Sequence, residues 1–279
     1  MNCIKYNYVK HDSLFKNYFR YLKFSFRKMF YKKNYNILND ICFHTSDKAS
    51  CFFKNNNSLV VDLLHKKYGC QCFSFKQGYE CFKRDLELIS FYYGDIFSSQ
   101  KQLLLKLDNE YSIYLKNTPR MINEGMFLLS LHFNNKAIYD LNFIILDDGI
   151  LITCLQGCGD IKEDLKNFTK KFYGLRPITF MIFYTFLFAK QIGLKFVYGV
   201  NDKYAISNFK RGKKRKGKII NIHNLDSVYE ENCSVLEQYL GYKKLEFKLT
   251  PIEEIASKKR SMYKKRYEFL KSLIPVSNS

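Results

Sequence analysis

The chain has 279 residues, of which 47% are hydrophobic and 17% are aromatic. This composition excludes an intrinsically disordered chain, because disorder requires low hydrophobicity. The formal net charge of +20 predicts an anionic partner such as nucleic acid, anionic lipid or a phosphorylated cofactor, although a lysine-biased, solvated surface explains the same excess.

The N-terminal part reads as mostly helical. Residues 11–35 place aromatic residues at helical spacing with basic residues between them, which predicts a helix capped by Asp12 or Ser13. Two interpretations of this helix stay open: it packs its aromatic residues inward, or it lies on an anionic membrane. The polar residues 44–58 predict a loop, and residues 80–93 predict a helix.

From residue 126 the pattern changes to that of a sheet. Turn residues separate three apolar segments, so we expect an antiparallel meander. The predicted strands are residues 126–131, 137–146 and 150–155.

Helices and strands then alternate to the end of the chain. The glycine and proline positions predict two helices, a fourth strand, a further helix, a fifth strand and a basic closing helix. In order these are residues 161–173, 177–191, 195–200, 228–240, 242–249 and 252–273.

The nine cysteines form no repeated framework. Cys70, Cys72 and Cys81 are the tightest group, but Cys-x-Cys spacing with His65 nearby is poor for structural zinc, so we expect reduced, mostly buried thiols and no metal. The first ten residues contain no secretory signal, and the longest apolar stretch, residues 178–189, is too short to span a bilayer. We expect a cytoplasmic protein, with peripheral contact at the inner membrane as the alternative.

Four short segments in the C-terminal half carry a recognisable order of residues. They are Leu155-Gln156-Gly157, Thr169-Lys170, Gly174-Leu175-Arg176-Pro177 and the basic-aromatic run of residues 257–267. Together, over about residues 125–273, they resemble the VirK/YbjX family of bacterial virulence-associated proteins. The chain departs from that family around Tyr229, where the family commonly reads Tyr-Asp-x-Phe-Trp and this sequence reads Tyr-Glu-Glu-Asn-Cys. The resemblance implies a role in virulence and in tolerance of cell-envelope stress such as cationic antimicrobial peptides.

The order of elements is also similar to that of a GNAT-type N-acetyltransferase. We therefore expect an α/β (α+β) fold: a GNAT-like, mixed and mainly antiparallel sheet flanked by helices, with a more helical N-terminal region. The predicted division is residues 1–118 for the helical region and 119–279 for the core with its C-terminal basic helix.

Two loops are candidates for binding the phosphates of acyl-coenzyme A, because each precedes a predicted helix and helix N-termini favour anions. The first loop contains Gln156, Gly157 and Gly159, and it fits the opening of the acetyltransferase Gln/Arg-x-x-Gly-x-Gly/Ala motif but not its last position. The second loop contains Lys171, Gly174 and Arg176. A glycine required only for a turn explains each loop equally well.

No catalytic residue is assigned. The candidates for a general base are His132, Asp140, Glu163 and Tyr173, and a strand histidine is often a purely structural residue.

In the closing helix, Lys259, Arg260 and Arg266 are candidates for contact with phosphate or lipid headgroups, with simple solvation as the alternative.

Two functions follow from the sequence. One is an acyltransferase-like protein that uses acyl-coenzyme A, and the other is a non-catalytic basic factor that binds an anionic membrane surface or, less favoured, a nucleic acid.

Overall fold

An eight-stranded mixed sheet forms the centre of the computed structural model, which describes residue 4 and residues 13–117, 122–159, 161–211 and 224–274. Its strands are β1 (Lys101–Lys106), β2 (Tyr111–Asn117), β3 (Phe127–Phe133), β4 (Lys136–Ile145), β5 (Gly149–Gly157), β6 (Phe196–Val200), β7 (Cys233–Tyr239) and β8 (Tyr242–Phe247). They lie in the order β1-β2-β3-β4-β5-β6-β8-β7.

The helices flank this sheet and include five that precede the first strand. They are α1 (Leu14–Phe30), α2 (Lys32–His44), α3 (Asp47–Asn56), α4 (Phe75–Tyr93), α5 (Ile96–Ser99), α6 (Lys162–Lys171), α7 (Pro177–Gln191), α8 (Ile206–Arg211), α9 (Leu225–Asn232) and α10 (Ser257–Ser272). Short 3-10 turns lie at Asn57–Leu64, Ile122–Glu124, Asp202–Tyr204 and Ile252–Glu254. The predicted fold class is confirmed: a mixed, mainly antiparallel sheet with flanking helices and a more helical N-terminal region.

The predicted meander is confirmed, because β3, β4 and β5 pair antiparallel in succession. Among the described strands, only β5 and β6 pair in parallel, from Gly149 opposite Phe196 to Ile152 opposite Gly199. Beyond this point β5 continues to Gly157, whereas β6 ends at Val200 and the chain turns into a 3-10 helix. The C-terminal part of β5 therefore extends past the end of β6.

The structure of the N-terminal helix α1 agrees with its predicted cap and contradicts one of the two interpretations of its aromatic face. Ser13 caps α1, as predicted, and its hydroxyl accepts a hydrogen bond from the N–H of Lys16 at 3.3 Å; Asp12 lies outside the described residues. The interpretation that α1 packs its aromatic residues inward is wrong, because the helix buries only Asn17 and Phe24.

The loop predicted for residues 44–58 is also wrong, because α3 occupies most of it. The hydroxyl of Ser46 accepts a hydrogen bond from the N–H of Ala49 at 3.1 Å, and Ala49 and Phe53 bury completely at helical spacing. Packing of this face against the core stabilises a helix that the polar local sequence does not indicate.

The helix predicted for residues 228–240 is correct only as far as Asn232. From Cys233 the chain is strand β7, which pairs antiparallel with β8 around a turn at Gly241. The predicted fourth and fifth strands and the helices α6 and α7 are confirmed, with boundaries that differ by no more than two residues. The long closing helix starts only at Ser257, after a 3-10 turn.

One hydrophobic core joins the sheet to helices from both halves of the chain, including buried Phe82 of α4 and Phe188 of α7. Strands β1 and β2 precede residue 118 and belong to the same sheet as the later strands. The domain boundary at residue 118 stays a prediction.

Within the described ranges, no helix is both long and apolar enough to cross a bilayer. The described cysteines are free thiols, and most of them are buried.

Candidate functional site

A groove of about 770 Å³ lies where α6, the start of α7 and α10 meet beside the sheet. Leu165 of α6, Ile178 of α7 and Met262 of α10 give it apolar walls, and Tyr139 of β4 lines it from the sheet. We call it the α6–α7 groove. Its walls suit a flexible apolar chain better than a compact polar ligand.

Three cations line the same groove. Lys166 and Lys170 are exposed and stand one turn apart on α6, so that they share a helix face. Arg176 immediately precedes α7, keeps its side chain half exposed and forms an ion pair with Glu231 at 2.6 Å. The groove therefore combines apolar walls with a positively charged rim.

The N-terminus of α7 borders the groove and has no side-chain cap. Pro177 occupies its first position, and its first turn contains no acidic residue. By contrast, α6 has Glu163 and Asp164 in its first turn, which already complement its positive end. Of the two predicted phosphate loops, the one before α7 is therefore electrostatically better suited to an anion.

The turn between α6 and α7 uses two left-handed residues in succession, Tyr173 at φ 55° and Gly174 at φ 74°. Arg266 of α10 packs directly against this turn: its Nε donates to the carbonyl oxygen of Tyr173 at 3.1 Å. A Cβ on residue 174 would lie 2.8 Å from Nη2 of Arg266 and 3.1 Å from the Sδ of Met262. The structure thus brings Gly174, Arg176 and Arg266 together, although the sequence placed them in two unrelated segments.

Gln156 and Gly157 of the first predicted loop are the last two residues of β5. Gly157 pairs with Tyr139, whose side chain lines the groove, and Gln156 pairs with Asp140. Gly159 has φ 79°, and a Cβ there would meet no atom within 4 Å. This loop borders the groove through Tyr139.

Three of the predicted cations do not line the groove: Lys171, Arg260 and Lys259. The ammonium of Lys171 binds the carboxylates of Asp108 and Glu110, and these hydrogen bonds raise its pKa. Arg260 donates to the carbonyl oxygens of Ile255 and Glu253 at 2.8 and 2.9 Å.

Lys259 is exposed in the first turn of α10. Lys171 points away from the groove that Lys170 lines, because consecutive residues of a helix lie about 100° apart around its axis.

Tyr229 of α9 packs at the point where the pairing of β5 and β6 ends. Its side chain is 0% exposed, and its hydroxyl lies 3.5 Å from the carbonyl oxygen of Ile152, the last β5 residue paired with β6. Gly199 makes room for the ring, since a Cβ there would lie 2.5 Å from two ring carbons. Burial raises the pKa of Tyr229 well above its usual value, so the hydroxyl carries a proton at neutral pH.

The start of α7 is tied to α9, the helix that carries Tyr229. Thr179 Oγ1 donates to Oδ1 of Asn232 at 2.7 Å, and Asn232 is the last residue of α9. Sequence reasoning did not select Tyr229 for chemistry. The available signal was a tyrosine on a short helix between two strands, which is too common to be diagnostic.

Of the four general-base candidates, only Tyr173 lines the groove. Asp140 follows Tyr139 on β4 and therefore points to the opposite face of the sheet, where it accepts a hydrogen bond from Ser130 at 2.5 Å. His132 shares that face with Ser130, contacts the carbonyl oxygen of Asn135 through Nδ1 at 3.0 Å, and has its pKa lowered by burial.

The fourth base candidate, Glu163, contacts Lys166 at 3.5 Å.

Comparison with known proteins gives a family but no activity. A family model described as "Protein of unknown function (DUF535)" matches residues 13–276. This is the family of the VirK/YbjX resemblance. Two curated relatives from Haemophilus influenzae, both named "Uncharacterized protein", are 32% identical over 171 residues and 30% identical over 154 residues.

Those alignments cover 60% and 53% of this chain, and 56% and 50% of the relatives. The chain thus spans about half the length of the curated relatives it matches. No solved structure gives a significant match.

Proposed function

Because the chain belongs to the DUF535 family, whose description gives no activity, we propose a function from its geometry: it binds acyl-coenzyme A and transfers the acyl group. The observation that carries the proposal is the joining of apolar walls and three cations at the uncapped start of α7. An acyl-coenzyme A complements both properties, because it carries an apolar chain and several phosphates.

Binding would divide between the two parts of the groove. Leu165, Ile178 and Met262 contact the apolar chain, while Lys170 and Arg176 bind phosphate beside the free N–H groups of α7. Burial of apolar surface favours the chain by roughly 25 cal/mol per Å². Long acyl chains should therefore bind more tightly than acetyl.

The GNAT-like order of elements favours acyl transfer over simple binding. In the transfer step the N–H or O–H group of the acceptor attacks the thioester carbonyl, the C–S bond breaks, and the proton that the acceptor loses ends on the coenzyme A thiol. Tyr229 is not assigned as the proton donor, because its side chain is fully buried and does not line the groove.

The acceptor class comes from the family setting. Proteins of the VirK/YbjX type are associated with virulence and envelope stress, so we place the acceptor among envelope precursors, with a protein amine as the second choice. The uncapped, cationic loop is compatible with either acceptor, because it binds the donor and not the acceptor.

Isothermal titration with palmitoyl-, decanoyl- and acetyl-coenzyme A tests the binding step. We expect affinity to rise with chain length and to fall about tenfold or more in Arg176→Ala, because a charge-assisted hydrogen bond contributes roughly 1.5–3 kcal/mol. Lys259→Ala is the matched control, since it removes an exposed cation outside the groove. The absence of heat with every acyl-coenzyme A would contradict the proposal.

A further inference from the structure

Helix α1 exposes its hydrophobic face to solvent. Leu14 is 88% exposed, Phe15 70% and Phe30 74%. Tyr18, Phe19, Phe26 and Met29 are each more than half exposed as well. Side chains of this size are rarely left so open in a row, and contiguous exposed apolar patches of this kind mark interaction surfaces.

These side chains form one continuous stripe. At 3.6 residues per turn they occupy the same half of the helix circumference, in which Ser25 is the only polar residue. Asn17 and Phe24, the buried residues of α1, lie on the other side and face the protein. The helix is thus attached by the side that carries Asn17 and Phe24 and presents its apolar half outward.

Basic residues border the stripe on both edges. Lys16 and Lys23 lie along one edge of the apolar half, and Lys28 along the other. From residue 13 to residue 39 the sequence contains seven Lys and Arg residues and no Asp or Glu. A partner that is apolar inside and anionic at its surface complements both features together.

We propose that α1 is an interfacial helix that docks on an anionic phospholipid bilayer. In this arrangement the helix axis lies parallel to the membrane, the phenyl rings enter the boundary between headgroups and acyl chains, and the lysines contact lipid phosphates. This geometry needs no membrane-spanning helix. The proposal rests on α1 alone and stands whether or not the α6–α7 groove binds acyl-coenzyme A.

Co-sedimentation of the full chain with phosphatidylcholine vesicles, with and without phosphatidylglycerol, tests the docking. We expect binding only to the vesicles that contain phosphatidylglycerol. The double variant Phe19→Ser/Phe26→Ser should bind at least about tenfold more weakly, because two rings no longer enter the bilayer.

Matched controls distinguish binding through α1 from non-specific binding through other exposed apolar side chains or other basic residues. Phe91→Ser/Leu240→Ser removes two side chains that are 82% and 73% exposed outside α1, and it should bind like the unaltered protein. Lys16→Glu/Lys23→Glu should lose the preference for phosphatidylglycerol, whereas Lys264→Glu/Lys265→Glu on α10 should keep it. Circular dichroism checks that each variant is folded.

Three results would overturn the proposal. One is no binding of the unaltered protein to any phosphatidylglycerol vesicle. The second is equal loss of binding in the α1 variant and in the Phe91/Leu240 control. The third is a dimer in analytical ultracentrifugation that dissociates in Phe19→Ser/Phe26→Ser while vesicle binding is absent, because the stripe would then be an interface between two copies of this chain.

Discussion

The guanidinium of Arg266 donates to the carbonyl oxygen of Tyr173 at 3.1 Å, across 93 residues of sequence. This bond holds the C-terminal helix α10 against the turn that precedes α7. The same guanidinium stacks on the ring of Tyr263, with its carbon 3.9 Å from the ring centroid. One side chain therefore fixes both the shape of the turn and one wall of the α6–α7 groove.

Replacement of Gly174 by alanine tests this close contact. The positive φ alone costs about 1 kcal/mol, and displacement of Arg266 and Met262 adds a packing cost. We expect Gly174→Ala to lower the free energy of unfolding by about 2–3 kcal/mol in urea denaturation. Gly159→Ala is the matched control: it has a similar φ but open space around the new Cβ, so about 1 kcal/mol is expected. Equal losses would show that Arg266 does not crowd the turn.

The hydroxyl of Tyr229 has a structural contact that can be removed alone. Tyr229→Phe keeps the ring that packs on Gly199 and removes only the hydrogen bond to the carbonyl oxygen of Ile152 at 3.5 Å. Because this bond is long, we expect the free energy of unfolding to fall by no more than about 1 kcal/mol in urea denaturation and acyl-coenzyme A binding to change less than about twofold. Tyr184→Phe, another buried tyrosine, is the control for loss of a hydroxyl. A tenfold loss of binding in Tyr229→Phe alone would contradict this account.

Tyr68 and Asp85 form a buried polar pair that joins the N-terminal helices to the sheet. The hydroxyl of Tyr68 donates to the carboxylate of Asp85 and accepts from the N–H of Met126 at 2.8 Å, while Asp85 accepts from the N–H of Ile145 at 2.6 Å. Tyr68→Phe removes the acceptor of the N–H of Met126 and one of the two hydrogen bonds of the buried Asp85, so we expect a loss of about 2–4 kcal/mol in the free energy of unfolding. Tyr79→Phe, which removes a single bond to the carbonyl oxygen of Leu63, should cost about 1 kcal/mol. A smaller loss for Tyr68→Phe than for Tyr79→Phe would contradict this account.

The lowered pKa of the His65 imidazole predicts that the protein loses stability in acid. Burial, and then the charge of Arg27, lower its pKa from 6.5 to about 4, against partial compensation by Asp62. Between these two values the unfolded chain binds more protons than the folded chain, so the free energy of unfolding falls as the pH falls from 6.5 towards 4. Denaturation at a series of pH values should show a shallower decline in His65→Gln. His44→Gln, at an exposed position, controls for removal of an imidazole; an unchanged slope in His65→Gln would assign the acid sensitivity elsewhere.

The sequence predicted the parts of the fold that depend on local signals. The meander, the helix from Pro177 to Gln191 and the cap at Ser13 follow from turn residues, proline and side-chain caps, all of which act over a few positions. The second phosphate loop was also found locally, because glycine, arginine and proline before a helix form a short pattern. The family resemblance likewise depended on short sequence segments.

The tertiary structure decided what depends on distant partners. Residues 233–239 have a helical pattern but form a strand because β8 offers them hydrogen bonds, and Met262 lines the groove because α10 packs on the turn at Gly174. The direction of the apolar face of α1 was equally undecided, since periodicity defines a face but not what it meets. Local free-energy differences between helix and strand are small compared with those of long-range packing, and only the folded chain shows which long-range contacts form.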